Sequence, residues 1–418
     1  MSISELYKSR INDPRWNTSY PLTPEDWAVY RTSHPLSFIN DRTLSFYLHI
    51  PFCNQLCSFC EYTRMLTPDE DLQAKYLQAI AHDISRFKDQ YTGLILLGFD
   101  IGGGTPTSLS EDNFKRLLEI YQEALSGLTL SERYEPSIEG TFNTLSEDKL
   151  REIVKSGIYR LSLGVQSSCN SVLFGHRRRD VEEKTMLDWL KKSWEIGIKK
   201  INLDFMYGLQ GQNASTIDSD LALINSLRPQ QVTLYELRTN MIASKGLPVK
   251  EELYNQYTQY YDGLTALGYI ARFGQNTFSL DSSDQGVSSY IRERMLNGAP
   301  YKGFGISAQS MCSEGVSYNL GKNQNNLLPL LDNISYPEEF TYHLPSEEIA
   351  SKYVAISAYN GSLSIDRLKE HGVYDKVRDA IDFCLTTRLL EIDNNRLYIT
   401  RQGFKYYGAV FSLIHSQK

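Results

Sequence analysis

A chain of 418 residues with 41% hydrophobic and 22% charged residues has an ordinary globular composition and exceeds one typical domain. Its net charge of −7 argues against a nucleic-acid or anionic-membrane partner. The polar start MSISELYKSRINDPRW lacks a signal-peptide core, and no apolar run nears the roughly 18 residues of a membrane span, so a cytoplasmic protein is expected.

After an N-terminal extension over residues 1–40, short apolar runs alternate with longer helical patterns. SFYLHI (45–50), LILLGFDIG (94–102), EPSIEGTF (135–142), RLSLGVQS (160–167), KINLDFMYG (200–208) and QVTLYELR (231–238) read as strands. Amphipathic patterns over 69–88, 146–157, 182–197 and 214–227 read as helices; the second opens on a Ser-x-x-Lys cap and closes on Gly. Such alternation predicts an α/β fold of parallel strands joined by right-handed crossovers. Six units across residues 41–310 predict a partial, open (β/α)6 TIM-like barrel rather than a doubly wound sheet.

Between 268 and 310 the rhythm loosens, and GYIARFGQNTFSLD and YKGFGISAQSM read as extended. Residues 311–344, containing NQNNLLPLLDNISYPEEF, read as a linker. Residues 345–418 offer three helical stretches, a strand–turn–strand LLEIDNNRLYIT and a final helix after Gly403, the pattern of a winged-helix-like domain. It lacks a concentrated basic face, so it is expected to pack on or cover the barrel rather than bind DNA.

Six cysteines in so long a chain make no disulfide framework. Cys169, Cys312 and Cys384 are scattered and read as packed thiols. Cys53, Cys57 and Cys60 instead crowd into YLHIPFCNQLCSFCEY (47–62), and thiolates are soft donors for zinc or iron–sulfur clusters. A structural zinc site wants four protein ligands and would need His49, which lies in a strand pattern with little freedom to fold back. An iron–sulfur cluster usually takes four cysteines; three leave one iron open to a substrate or cofactor.

Cys-x3-Cys-x2-Cys after the first strand, with Gly102-Gly103-Gly104-Thr105 after the second, resembles the radical S-adenosylmethionine (SAM) superfamily. The resemblance implies a [4Fe–4S] cluster whose open iron binds SAM and cleaves it to a 5′-deoxyadenosyl radical, with the protein positioning and shielding. FYLHIPFC, IGGGTPTSL, SIEGTFNTLSEDKL, GIYRLSLGVQSS and INLDFMYGLQGQ are similar to blocks of the oxygen-independent coproporphyrinogen III oxidase family, and RWNTSYP (15–21) resembles its N-terminal segment. That family includes heme chaperones, heme-cleaving enzymes and radical C-methyltransferases, and the similarity runs over residues 15–415.

Carried over, the resemblance makes Cys53, Cys57 and Cys60 the cluster ligands, with Tyr47 and Phe59 flanking cluster and SAM. Gly103 and Glu139 would contact a first SAM; Gly104, Thr105, Gln166, Arg178 and Asp204 match positions for a second; Gln309 matches a further SAM position. No acid, base or nucleophile stands out as catalytic. The chain departs from the oxidase at Glu61-Tyr62 (Gly-Cys there), at EGTF and at Arg238, and lacks the chaperones' His-Asn…Tyr-Trp run near FGQNTFSLDSSD. Arg238 is a candidate cation for an anionic substrate group. The expectation is a two-SAM radical enzyme performing C-methylation or related C–C chemistry on a small molecule, with coproporphyrinogen oxidation and heme trafficking as alternatives. A flavodoxin or ferredoxin-type donor would supply electrons, and a monomer is expected.

Overall fold

A computed structural model describes residues 1–13, 20–237, 249–321 and 338–415. Six parallel strands form its centre: β1 (Thr43–Ile50), β2 (Ile95–Gly103), β3 (Ser137–Gly140), β4 (Arg160–Gln166), β5 (Lys200–Tyr207) and β6 (Gln231–Glu236). They lie side by side in chain order, each parallel to the next. Sequential order is the signature of a barrel-type winding; a doubly wound sheet reverses direction midway.

The strands are largely buried, with apolar residues such as Leu161, Leu163, Ile201 and Leu203 alternating with the polar Arg160, Ser162, Asn202 and Asp204. In β1, Leu44, Phe46, Leu48 and Ile50 are fully buried. Phe46 meets Phe87 of the helix Glu70–Gln90 at 5.8 Å between ring centroids. Tyr47 and His49, on the alternate face, engage Tyr290 and Thr63. Burying each large apolar side chain contributes about 1.5–3 kcal/mol. Caps set the crossover helices: Asp69 accepts from Leu72 N at 2.9 Å, and Ser146 accepts from Lys149 N at 3.1 Å where the sequence places its cap. Gly197, at φ +118, ends the helix Glu183–Ile196.

The sheet runs on beyond these six. Thr277–Ser279 pairs antiparallel with β6; Tyr301–Phe304 pairs parallel with β1 and is followed by Gln309–Cys312, Gly315–Asn319, Glu338–His343 and Arg31–Thr32. The expected linker over 311–344 is thus corrected: its described ends belong to the main sheet. The strands between Tyr301 and His343 are short, four to six residues each, and those of 311–344 flank residues 322–337, so the alternation of Val316 with Tyr318 and of Phe340 with Tyr342 is too brief to stand out in the sequence. The rest of that stretch, 322–337, lies outside the described residues, as do Arg238 and most of RWNTSYP. Of the 268–281 stretch, only Thr277–Ser279 is strand. A helical wedge that periodicity did not show, Ser289–Ile291 followed by a π-turn at Arg292–Leu296, packs on β2.

The C-terminal part carries helices Ser346–Ala358, Ile365–Glu370 and Tyr374–Thr386 and the expected hairpin, Leu390–Asp393 with Arg396–Ile399. A third strand, Ser362–Ser364, completes the small antiparallel sheet. This winged-helix-like unit is fastened to the barrel. Tyr353 and Arg396 both donate to the Leu296 carbonyl (3.2 and 2.7 Å), and Phe404 stacks on Tyr257 at 4.2 Å. Among the described residues, no helix is long and apolar enough to cross a membrane.

Candidate functional site

The cysteine loop is framed where β1 runs out. After Pro51, Phe52–Cys53 pairs with Met65–Leu66, closing the loop on itself. Arg64 reaches back to the Cys57 carbonyl at 2.5 Å. From outside, the segment after β4 clamps it: Ser58 N donates to the His176 carbonyl at 3.0 Å, and Arg179 N donates to Gln55 at 2.9 Å. Cys53 and Cys57 are buried, and Cys60 is partly exposed. Two cysteine sulfurs receive side-chain donors, Thr105 Oγ1 at 3.6 Å from Cys53 and Arg178 Nη1 at 3.7 Å from Cys57. Burial pushes the free Cys53 thiol up to about 11; iron would bind the thiolate instead.

His49 does not join the thiols. Its Nε2 donates to the Thr63 carbonyl at 2.9 Å, and its Nδ1 faces Tyr47 Oη at 3.3 Å. Burial pulls its pKa down to about 4, so the ring is neutral and committed. Among the described residues, no three Cys, His, Asp or Glu side chains converge as they would on one metal ion. Three thiols beside an open cavity fit a cluster, whose corner irons hold their ligands farther apart than a single ion does.

That cavity, about 440 Å³, is lined by Cys53, Cys57, Phe59 and Cys60 together with the ends of β2 to β6. Gly103, Gly104, Thr105, Glu139, Gln166, Arg178 and Asp204 all reach it, so eleven of the thirteen positions carried over as cluster ligands or cluster and SAM contacts share one space. The glycines are demanded by the protein itself. A Cβ on Gly102 would lie 2.6 Å from the Glu139 carboxyl, and one on Gly103, at φ +111, would lie 2.4 Å from the His49 ring. Their absence lets Gly103 N donate to Glu139 Oε2 at 3.1 Å.

Glu139 sits deep in the molecule but faces the open cavity. Desolvation pushes its pKa up to about 8, with the Asp204 charge adding to it and the hydrogen bond from Gly103 N opposing it. Asp204, held by Ser162 (3.1 Å) and Asn202 (2.7 Å), is raised to about 6 by burial. Gln166 follows a bulge in β4 and adopts φ +74, a left-handed conformation rare outside glycine. Arg178 also donates to the Gly164 carbonyl, anchoring one guanidinium between strand and thiol.

Two expected residues stand apart from the lining. Tyr47 stacks on Tyr290 at 5.5 Å. Gln309 has its amide engaged: its Oε1 accepts from Tyr301 (2.5 Å) and Arg294 (3.2 Å), and its Nε2 donates to Tyr318 (2.8 Å). Sequence reasoning missed Arg64, Ser162, Tyr235 and Tyr359, which do line the cavity. Ser162 is legible in hindsight from register, opposite Glu139 on the neighbouring strand. Tyr359, from the C-terminal unit, carries no local signal at all.

Residues 47–224, which carry the cysteine loop and strands β2 to β5, match the sequence profile of the radical SAM superfamily. That superfamily's cofactors are a [4Fe–4S] cluster and SAM, and beyond the matched residues the chain is similar to heme chaperones and to oxygen-independent coproporphyrinogen III oxidases. It is 26% identical over 399 residues to the heme chaperone HemW of Lactococcus lactis, covering 88% of this chain and 96% of that one. To HemW of Bacillus subtilis it is 27% identical over 317 residues, 73% and 80% of the two chains. To the oxygen-independent coproporphyrinogen III oxidase of Escherichia coli it is 29% identical over 233 residues, 55% and 50%. The solved structure of that oxidase shares the fold, with a TM-score of 0.76 at 21% identity over 97% of this chain and 98% of the other.

Proposed function

We propose that this protein is a radical SAM enzyme that binds two SAM molecules in the cavity and performs radical C-methylation or related C–C chemistry on a small molecule. One observation carries the reading: Gln166, Arg178 and Asp204, matching second-SAM positions, line the same cavity as the three thiols and Glu139. Bound to the thiols, the cluster supplies the electron that cleaves SAM. The chain's own residues do the rest. Glu139 accepts hydrogen bonds on the first SAM's side, and Asp204 and Arg178 set opposite charges on the second's. Phe59 and Met206 keep part of the wall apolar.

Oxidative decarboxylation of a porphyrinogen is the second reading, favoured by the named activity of the oxidase relatives. The HemW relatives are named heme chaperones, which makes heme trafficking the outcome to exclude. Product analysis decides among them. Anaerobically reconstituted protein, given SAM and dithionite, is expected to release 5′-deoxyadenosine, with S-adenosylhomocysteine if a methyl group is transferred. Deoxyadenosine alone with coproporphyrinogen consumed would install the oxidase reading. Stable heme binding without SAM cleavage would install the chaperone.

A further inference from the structure

A cluster closed in by protein needs its electron delivered from outside, and delivery falls off steeply with distance, so the carrier must dock where the cover is thinnest. On one side the cysteine loop is held by a single short segment. There the helix Asn170–Gly175 and the residues after it clamp the loop through His176, Arg178 and Arg179. His176 is wedged inward, with Nδ1 3.1 Å from Ser58 Oγ and Nε2 accepting from Gln210 N at 3.1 Å. Arg178 points to the Cys57 sulfur. Its neighbours Arg177 and Arg179 are exposed, and Arg179 also stands at the wall of the thiol cavity.

The outer face of this clamp is unusual for a surface. Phe174 is 86% exposed, the most exposed aromatic ring among the described residues, and Leu56, on the cysteine loop itself, is 37% exposed. Single exposed apolar residues are ordinary, but here two lie on interlocked segments over the thiols. Around them stand Arg177 and Arg179, and neither guanidinium has an ion-pair partner among the described residues. Arg177 is held at φ +56, a left-handed backbone uncommon for a long side chain. An apolar centre rimmed by unpaired cations fits an acidic partner, and redox encounters need only small interfaces.

We propose that Leu56, Phe174 and Arg177, with Arg179 alongside, form the docking face for an acidic one-electron carrier protein of the flavodoxin or ferredoxin kind. In the encounter one electron leaves the carrier, which is oxidised by one unit, and enters the cluster, which is reduced by one unit; no bond forms or breaks. The inference rests on the radical SAM reading, and a reductant that needs no docking tests the two separately.

The experiment uses the full cluster-loaded chain, flavodoxin and a [2Fe–2S] ferredoxin as probes, and the variants Arg177→Glu, Arg177→Asn and Phe174→Ser. Binding is measured by calorimetry across a salt series, and cluster bleaching by stopped flow. Arg177→Glu is expected to weaken binding of the tighter carrier about tenfold and to reduce its salt dependence. Arg177→Asn, tolerated in the left-handed region, should fall between. Phe174→Ser should weaken binding with the salt slope retained. Bleaching by reduced carrier should slow in step, while bleaching and SAM cleavage with dithionite stay at the wild-type level, which also shows that the variants fold. Wild-type carrier binding in Arg177→Glu and Phe174→Ser, or no binding of either carrier by the wild type, overturns the docking face. Failure of dithionite to cleave SAM overturns the enzyme reading instead.

Discussion

The Arg178 guanidinium lies 3.7 Å from the Cys57 sulfur. A cation donating to a cluster-bound thiolate stabilises the reduced, more negative state, because hydrogen bonds to sulfur and nearby charge set cluster potentials. Arg178→Gln is therefore expected to lower the reduction potential. One hydrogen bond of roughly 1 kcal/mol corresponds to on the order of 40 mV for one electron. Thr105→Val, removing the donor 3.6 Å from Cys53, should shift it the same way by less. A redox titration followed by electron paramagnetic resonance reads both; an unchanged midpoint in Arg178→Gln would show that the contact is not made in the loaded protein.

Loss of a cluster ligand should be complete rather than graded. Cys57→Ala leaves Cys53 and Cys60 as the remaining thiols, and the iron content and visible absorbance after reconstitution should fall together, with SAM cleavage lost. Retained cluster and wild-type cleavage would mean that the ligands are elsewhere.

Glu139 should couple SAM binding to a proton. With its pKa pushed up to about 8, Glu139 is mostly protonated at neutral pH, and the ammonium and sulfonium of SAM would favour the carboxylate. Binding is expected to release a proton, seen in calorimetry as a dependence on buffer ionisation enthalpy that Glu139→Gln abolishes. Stability carries the same sign. The folded state binds the extra proton between about pH 4.5 and about pH 8, so stability of the empty protein falls as pH rises through that window. Melting temperatures of Glu139→Gln should be flatter across it; parallel curves would rule out the raised carboxyl.

Gly103→Ala tests the close approach of β2 to β1. The new methyl group meets the His49 ring, and φ +111 is strained for alanine. The expected cost is about 1–3 kcal/mol in denaturant unfolding, together with weakened SAM binding. A full-strength SAM isotherm in a destabilised variant would confine the glycine to a folding role.

All six central strands were legible to within a few residues, since each is a short apolar or alternating run, such as RLSLGVQ and KINLDFMY, set between helical patterns. What escaped were Gly315–Asn319 and Glu338–His343, strands of five and six residues placed where a linker was expected. The cysteine loop was legible because its chemistry is local, three thiols within eight residues. Tyr235 and Tyr359 were not, because only folding brings them to the thiols. The glycine run was recognised for a ligand's sake, yet its sharper reason is internal: Glu139 and His49 occupy the space that side chains there would need.

The six central strands never return on themselves. β6 ends against Thr277–Ser279 at one edge, and β1 passes into Tyr301–Phe304 and the antiparallel run at the other. A staved tube admits only guests narrower than its bore. A wall left unjoined lets a bulky guest rest with one rim among the thiols and the remainder outside, so regiochemistry follows from which rim is inserted rather than from overall size.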